Sequence, residues 1–404
     1  MFEGKTIVVG VSGGIAAYKA AQLVSDLAKT DADVHVLMTE NAAEFVSALT
    51  FETLSKNRVA ADTFDRNYEY DVEHVALAKK ADVMLIAPAT ANVIAKFAAG
   101  VADDMLTTTV LAARCPKIVA PAMNTGMYDN PVTQRNLETL RGFGFTVLEP
   151  DSGLLACGDI GRGRLPDPAV LFEAVRAALT ERDLEGVRLL VTAGPTREAI
   201  DPVRFVTNHS TGRMGYELAA AARRRGAAVT LVSGPVSLAP PLGVAVVPVV
   251  SAAEMYDAVV SRASGQDIII KCAAVADYRP AEVASHKIKK AEGGLTLALE
   301  RTQDILSHLG HNRTPGQVIC GFSMETRDLL ENSRAKLSKK NVDMIVANDL
   351  GTRGAGFGTA TNLVTILTRE GAECLPLMGK DAVAEKILDR LRDLYRAREE
   401  RGEA

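Results

Sequence analysis

Short apolar runs rich in β-branched residues alternate with amphipathic stretches along the chain, and the alternation restarts once. Residues 5–10 (Lys-Thr-Ile-Val-Val-Gly) form one such run; Gly13-Gly14 follows, then a helical stretch over 15–29 and a second strand over 34–38. Strand, glycine turn, helix and strand in that order predict the opening of a parallel α/β sheet. Residues 187–194 (Val-Arg-Leu-Leu-Val-Thr-Ala-Gly) begin the pattern again, with a long loop before a helix over 211–225 and a strand over 228–232. Further strands are expected over 83–87, 117–120, 267–271, 318–322 and 344–347, and helices over 171–179 and 381–401. The charged stretch beginning at Glu181 separates the two openings. The expected architecture is therefore α/β: two Rossmann-like three-layer domains with mainly parallel sheets, residues 1–182 and 183–404.

Composition narrows the class. A chain of 404 residues is long for one core. Apolar residues make up 47%, and the formal charge of −4 lacks the basic excess that general nucleic-acid binding requires. The N-terminus runs straight into a strand without the layout of a signal peptide, and Lys96 interrupts the most apolar stretch, near 83–99. The five cysteines are scattered, odd in number and not spaced as a metal knuckle. A soluble, cytoplasmic protein that binds neither nucleic acid nor membrane is expected.

In the first half, the turn at Gly13, Gly14 and Ile15 lets backbone amides approach a phosphate, although close helix–strand packing explains such glycines about as well. The glycine spacing is not the dinucleotide fingerprint. The second strand ends in Met38-Thr39, without the acidic residue that binds an NAD ribose. Pro88, Ala89, Thr90 and Asn92 lie after the next strand, where such folds hold ligands, and a mononucleotide flavin fits better than NAD. Three polar residues stand out: His74 at the start of a helical stretch, Asn124 in a loop after a strand, and Cys157 in a segment of glycines and arginines suited to a mobile, anion-seeking flap. Singly, each has an ordinary structural explanation as a cap, a turn former or a small buried hydrophobe.

Together, His74, Pro121-Ala-Met-Asn-Thr-Gly-Met-Tyr128 and the Cys157 segment resemble the flavin-dependent cysteine decarboxylase family, over residues 5–170. Tyr128 stands where that motif has Trp, which bears on substrate contact there. The resemblance implies that a substrate's cysteinyl thiol gives two electrons to FMN, after which the neighbouring carboxylate leaves. It further implies that His74 assists proton and charge transfer, that Asn124 holds the departing carboxylate and that Cys157 supplies a proton. Met123 and the loop 88–92, with Gly13, Gly14, Ile15 and Thr39, would line the flavin.

The second half carries a denser signal. Ala193-Gly-Pro-Thr-Arg-Glu198 follows a strand, and Thr207-Asn-His-Ser-Thr-Gly-Arg-Met-Gly215 enters a helix. Ser210, Gly212 and Gly215 at that helix start suit an oligophosphate, although an ordinary helix cap explains them too. Ala273-Ala-Val-Ala-Asp-Tyr-Arg-Pro280 follows another strand, succeeded by Lys287-Ile-Lys-Lys290 and later by Lys336 and Lys340. Lysine runs are usually solvated faces; beyond the carboxyl ends of strands they can gather phosphate charge. Segments 321–326 and 347–349 end the remaining core strands, where a base or ribose would lie.

This set resembles the phosphopantothenate–cysteine ligase family over residues 186–400. The resemblance implies CTP as cosubstrate with Mg2+, an acyl-cytidylate formed from 4'-phosphopantothenate with release of pyrophosphate, and displacement of CMP by cysteine. Asn208 would handle the acyl intermediate, and Lys287 would be the catalytic cation. Ala273, Ala274 and Asp277 would contact nucleotide, as would Thr302, Gln303, Asp304 and Ile305, although the family often begins that last segment with Asn-Pro. Phe322 would stack near the base, and Lys336 and Lys340 would bind triphosphate. Lys271, where smaller residues are common, is a second departure. The metal ligands stay unassigned.

Both halves in this order resemble the fused bifunctional family of coenzyme A synthesis, which decarboxylates the ligated product to 4'-phosphopantetheine. A flavoprotein regulator with a degenerate decarboxylase half is the alternative. The presence of His74, Asn124 and Cys157 together argues against it. The resemblance also implies a homo-oligomer, a dodecamer built from trimeric decarboxylase and dimeric ligase contacts.

Overall fold

The computed structural model describes residues 2–63, 72–289, 294–325, 329–349, 356 and 358–402. Asp71, Lys290 and Thr326, which belong to segments singled out above, lie outside the described residues. The chain divides into two compact units, residues 1–180 and 181–404.

The first unit is built on strands β1 (Thr6–Val11), β2 (Asp33–Met38), β3 (Val83–Ala89), β4 (Lys117–Pro121) and β5 (Thr146–Val147). All pair in parallel, in the order β2-β1-β3-β4-β5. Every residue of β1 and β3 is buried, as a parallel strand covered by helices on both faces must be. The helix Ala17–Ala28 buries Ala17, Ala20, Leu23, Val24 and Leu27, one stripe at helical spacing. Strand order reverses between β1 and β3, so the loops after these strands diverge and leave a crevice at the carboxyl edge of the sheet. A hairpin of β6 (Asp151–Leu154) and β7 (Ile160–Arg164) stands apart from the sheet. Its backbone is fastened beside β4 by the Met123 amide donating to the Gly163 carbonyl at 3.0 Å.

The second unit contains β8 (Arg188–Ala193), β9 (Glu198–Ala199), β10 (Phe205–Val206), β11 (Ala228–Ser233), β12 (Ala245–Pro248), β13 (Ile268–Lys271), β14 (Tyr278–Pro280), β15 (Leu299–Arg301), β16 (Val318–Glu325), β17 (Met344–Asp349), β18 (Thr361–Asn362), β19 (Val364–Thr368), β20 (Ala372–Cys374) and β21 (Met378–Gly379). Its main sheet runs β12-β11-β8-β13-β16-β17-β19-β20, parallel through β17 and antiparallel for the last two. One face packs on the helices Arg213–Arg224 and Lys380–Glu400, with Leu218, Ala222, Ile387 and Leu391 in its core. The other face packs on Ala252–Ala263, Ile305–His311 and Leu329–Lys339 through Met255, Val259, Leu309 and Leu337. Here too the order reverses at β8 and β13, and the crevice lies beyond their carboxyl ends.

Both units are α/β with mainly parallel sheets, as the alternation of apolar runs predicts. No helix among the described residues is long and apolar enough to cross a membrane.

Candidate functional site

Each unit has a cavity at its strand-order reversal. In the first, a cavity of about 570 Å³ opens beyond β1, β3 and β4. Its lining includes Gly13, Gly14, Ile15, Thr90, Met123, Asn124 and Cys157. Ser12 joins the two crevice loops: its hydroxyl donates to the Pro88 carbonyl at 2.7 Å and accepts from the Thr90 amide at 2.9 Å. Ser12 is buried, so these bonds are not shared with solvent. Gly13 is required by close approach, since a Cβ there would meet Asn41 at 2.4 Å. Lys19 reaches across to the Leu165 carbonyl at 3.1 Å.

The hairpin brings Cys157 to Asn124. The Asn124 amide donates to the Cys157 sulfur at 3.2 Å and to the Asp159 carboxylate at 2.7 Å. The Cys157 thiol in turn donates to Asp159 at 3.4 Å. The Asn124 carbonyl oxygen caps the short helix Thr125–Tyr128 through the Gly126 amide, which fixes the side chain's orientation. Gly163 permits the hairpin to dock: it sits at φ +142°, and a Cβ there would come within 2.1 Å of the Met123 carbonyl oxygen.

His74 does not line this cavity; it lies half-buried on the helix Glu73–Lys80. Pro88 and Ala89 are buried beneath it and shape it through backbone carbonyls, whereas Asn92 is exposed on the following helix. Thr39 is not in the lining either, but its hydroxyl oxygen is buried without a hydrogen-bond partner. Tyr128 keeps an aromatic ring packed at its motif position. Its ring is 1% exposed within the core, its hydroxyl donates to Glu149 at 2.7 Å, and Arg162 lies over the ring. Burial, together with that acceptor, pushes the phenol up to about 12.

In the second unit, two adjoining cavities of about 390 and 510 Å³ share Lys271, Asp277, Phe322 and Lys336. The first takes in Asn208, Ser210, Gly212 and Gly215 at the start of the helix Arg213–Arg224, with Ala273 and Ala274. The second takes in Thr302, Gln303, Asp304, Ile305 and Lys340. The Asn208 amide donates to the Ala274 carbonyl at 2.6 Å, and its oxygen accepts from the Ser210 amide at 3.0 Å. Gly212 has φ +79°, and a Cβ on Gly215 would meet Ala193 at 2.6 Å, so both are demanded by the tight helix entry. Thr302 donates to the Ala276 carbonyl at 2.6 Å, tying the two cavity walls together. Lys336 donates to Ser323, and Lys340 pairs with Asp304.

Lys287 lines neither cavity. It is exposed on a strap whose neighbour Ile288 is held by Asp201 and Arg204: the Ile288 amide donates to Asp201 at 3.1 Å, and Arg204 donates to the Ile288 carbonyl at 3.0 Å. The hydrogen-bonded Arg204 guanidinium keeps the Asp201 carboxyl well below the usual range. Among the described residues, no group of three or more His, Cys, Asp or Glu could hold a metal ion. Ser12 and Asp159 were not singled out in the sequence; the segment Asp201-Pro-Val-Arg204 stands out there, but not its tether to Ile288. Ser12 lies inside the Gly13-Gly14 turn and Asp159 two residues past Cys157, so proximity was the available signal.

Comparison with known proteins accords with this division. Residues 1–180 match the flavoprotein family model, and residues 184–395 match the model of the DNA/pantothenate metabolism flavoprotein C-terminal domain. The chain is 50% identical to the coenzyme A biosynthesis bifunctional protein CoaBC of Bacillus subtilis (strain 168), over 99% of this chain and 100% of that protein. It is 44% identical to the same-named protein of Escherichia coli (strain K12), over 97% and 98% respectively. Among solved structures, a C-terminal domain of a CoaBC protein is 44% identical and covers 54% of this chain and 100% of its own, with a TM-score of 0.47.

Proposed function

The chain belongs to the family of bifunctional coenzyme A biosynthesis proteins, and from that premise we propose how its two units divide the work. Residues 183–404 join 4'-phosphopantothenate to cysteine at the expense of CTP, and residues 1–182 decarboxylate the product to 4'-phosphopantetheine. The observation that carries this reading is the convergence of Asn124 and Cys157, in hydrogen-bond contact, on a cavity walled by the glycine turn of β1.

The residues of that cavity fit FMN. Its size is that of a ligand pocket, the amides of Gly13 and Gly14 and the Thr90 hydroxyl suit a phosphate, and the nearby Thr39 hydroxyl is an orphan. When bound, FMN would supply a two-electron acceptor for the substrate's cysteinyl thiol and, after carbon dioxide has left, return the same two electrons as hydride to the enethiol. Asn124 holds the carboxylate that departs, and the docked hairpin excludes water. Cys157, at the hairpin tip, delivers a proton to the enethiol left behind. His74 lies outside the cavity of its own chain, so its part in proton transfer requires a neighbouring copy, as the trimer implied by the family resemblance would provide.

In the ligase unit, the carboxylate of 4'-phosphopantothenate attacks the α-phosphorus of CTP and pyrophosphate leaves. The cysteine amine then displaces CMP at the acyl carbon, releasing a proton. Asn208, locked by Ala274 and Ser210, presents its remaining N–H and lone pair to the acyl group. Amides at Ser210, Gly212 and Gly215 receive phosphate charge, Lys336 and Lys340 bind the triphosphate tail, and Phe322 packs near the base. Asp277, the adjoining alanines and Thr302–Ile305 wall the nucleotide. Lys287 reaches the phosphate charge from its strap and stabilises it as it develops. The phosphates of the nucleotide, rather than a set of protein ligands, would hold the magnesium ion.

The partial reaction tests the ligase reading. With CTP, magnesium and 4'-phosphopantothenate but no cysteine, the chain is expected to release pyrophosphate in an amount close to that of the enzyme. No release, or release that does not need 4'-phosphopantothenate, contradicts an acyl-cytidylate route.

A further inference from the structure

Lys271 is the last residue of β13, and it borders both cavities of the ligase unit at the seam where they meet. Alternation along the strand explains its placement. Ile268 and Ile270 enter the core beneath the helix Arg213–Arg224, so Lys271 emerges with Ile269 on the opposite face, toward the helix that carries Lys336. Its ammonium donates to the Ala273 carbonyl at 3.2 Å, and among the described residues no carboxylate lies within ion-pair distance of it. Lys340 differs in this respect, pairing with Asp304, while Lys336 donates to the Ser323 hydroxyl. Burial holds the Lys271 ammonium below the usual lysine range; Asp277 opposes the shift, while Lys336 and Lys340 add to it. A desolvated cation with one backbone acceptor has hydrogen-bonding capacity left for an anion.

We infer that Lys271 is a further phosphate-binding residue of the ligase site, holding the nucleotide's phosphate chain at the seam between the helix-start cavity and the Lys340 cavity. The inference rests on the proposed ligase reading for the identity of the nucleotide, but not for the chemistry of the anion. The helix start at Gly212 lies on one side of the seam and Lys340 on the other, so a chain of phosphates extending from one to the other passes Lys271 and Lys336. Lys271 thereby adds a positive charge to the phosphate path.

Calorimetric binding of inorganic triphosphate with magnesium to the full chain, compared with Lys271→Met and Lys271→Arg, tests this directly. Loss of a charge-assisted bond is expected to weaken triphosphate binding about 10-fold to 100-fold in Lys271→Met, and Lys271→Arg is expected to recover most of it. The KM for CTP should rise in parallel, with the KM for 4'-phosphopantothenate, the melting temperature and decarboxylation of supplied 4'-phosphopantothenoylcysteine unchanged. Unaltered triphosphate binding in Lys271→Met overturns the inference. So does a rise confined to the KM for 4'-phosphopantothenate, which would assign the lysine to the acyl substrate. A wild-type chain that binds triphosphate through Lys271 but does not ligate with CTP would contradict the proposed function and leave this inference standing.

Discussion

Cys157 and Asn124 are 33 residues apart, yet their side chains touch because one glycine lets a hairpin lie against the Met123 backbone. The residue types at this site were legible in the sequence, but their contact was not: glycine-rich polar segments carry no apolar period to reveal a hairpin. At Tyr128 the short helix that begins at Thr125 turns the ring into the core, so the aromatic kept at that motif position serves packing. If Cys157 is the final proton donor, Cys157→Ser should still lose carbon dioxide from 4'-phosphopantothenoylcysteine but accumulate a product lacking two hydrogens. Mass spectrometry would detect it. Full formation of the reduced aminothiol by that variant would remove the assignment.

At the scale of elements, the long parallel strands and the helices beneath them were readable because their periods are uninterrupted. Residues 213–224 bury a stripe at helical spacing, and residues 318–322 form a solid apolar run. The short pairs β9–β10 and β14–β15 were not anticipated, since two or three residues of alternation do not stand out from loop sequence. The C-terminal helix Lys380–Glu400 was foreseen, but not what pins it: Asp183, 5% exposed at its side chain, pairs with Arg225 and Arg392 at 2.6 Å each. Burial favours the neutral acid, but the two guanidinium hydrogen bonds outweigh it and hold the Asp183 carboxyl at about 2. Because the folded value is depressed, this contribution is complete above the unfolded value of about 4 and is lost as pH falls through about 2. Arg225 keeps Asp389 at 2.9 Å and Arg392 keeps Asp393 at 2.8 Å, so Asp183→Asn removes charge-assisted hydrogen bonds without stranding either guanidinium and should cost about 2 kcal/mol at neutral pH. The temperature at which ligase activity is lost should fall accordingly, and the gap to wild type should narrow toward pH 2. An unchanged temperature would mean the helix is held by its apolar face alone.

Across the whole molecule, each unit carries a cavity at a strand-order reversal. His74 does not line the cavity of its own chain, so the proton-transfer role proposed for it would make activity in that unit depend on assembly. The threefold contacts of one unit and twofold contacts of the other that the family resemblance implies would close into a dodecamer. Light scattering should then report a particle about twelve times the 42.9 kDa chain mass, and a stable, fully active monomer would contradict the role given to His74. The central claim is that one chain performs ligation and then decarboxylation. A coupled assay read by mass spectrometry, with 4'-phosphopantothenate, cysteine and magnesium, with and without CTP, tests it most directly. The account predicts 4'-phosphopantetheine only when CTP is present, with the cysteine conjugate preceding it. Arrest at the conjugate despite bound flavin would reduce the first unit to a flavin-binding body, and absence of any conjugate would contradict the ligase reading itself.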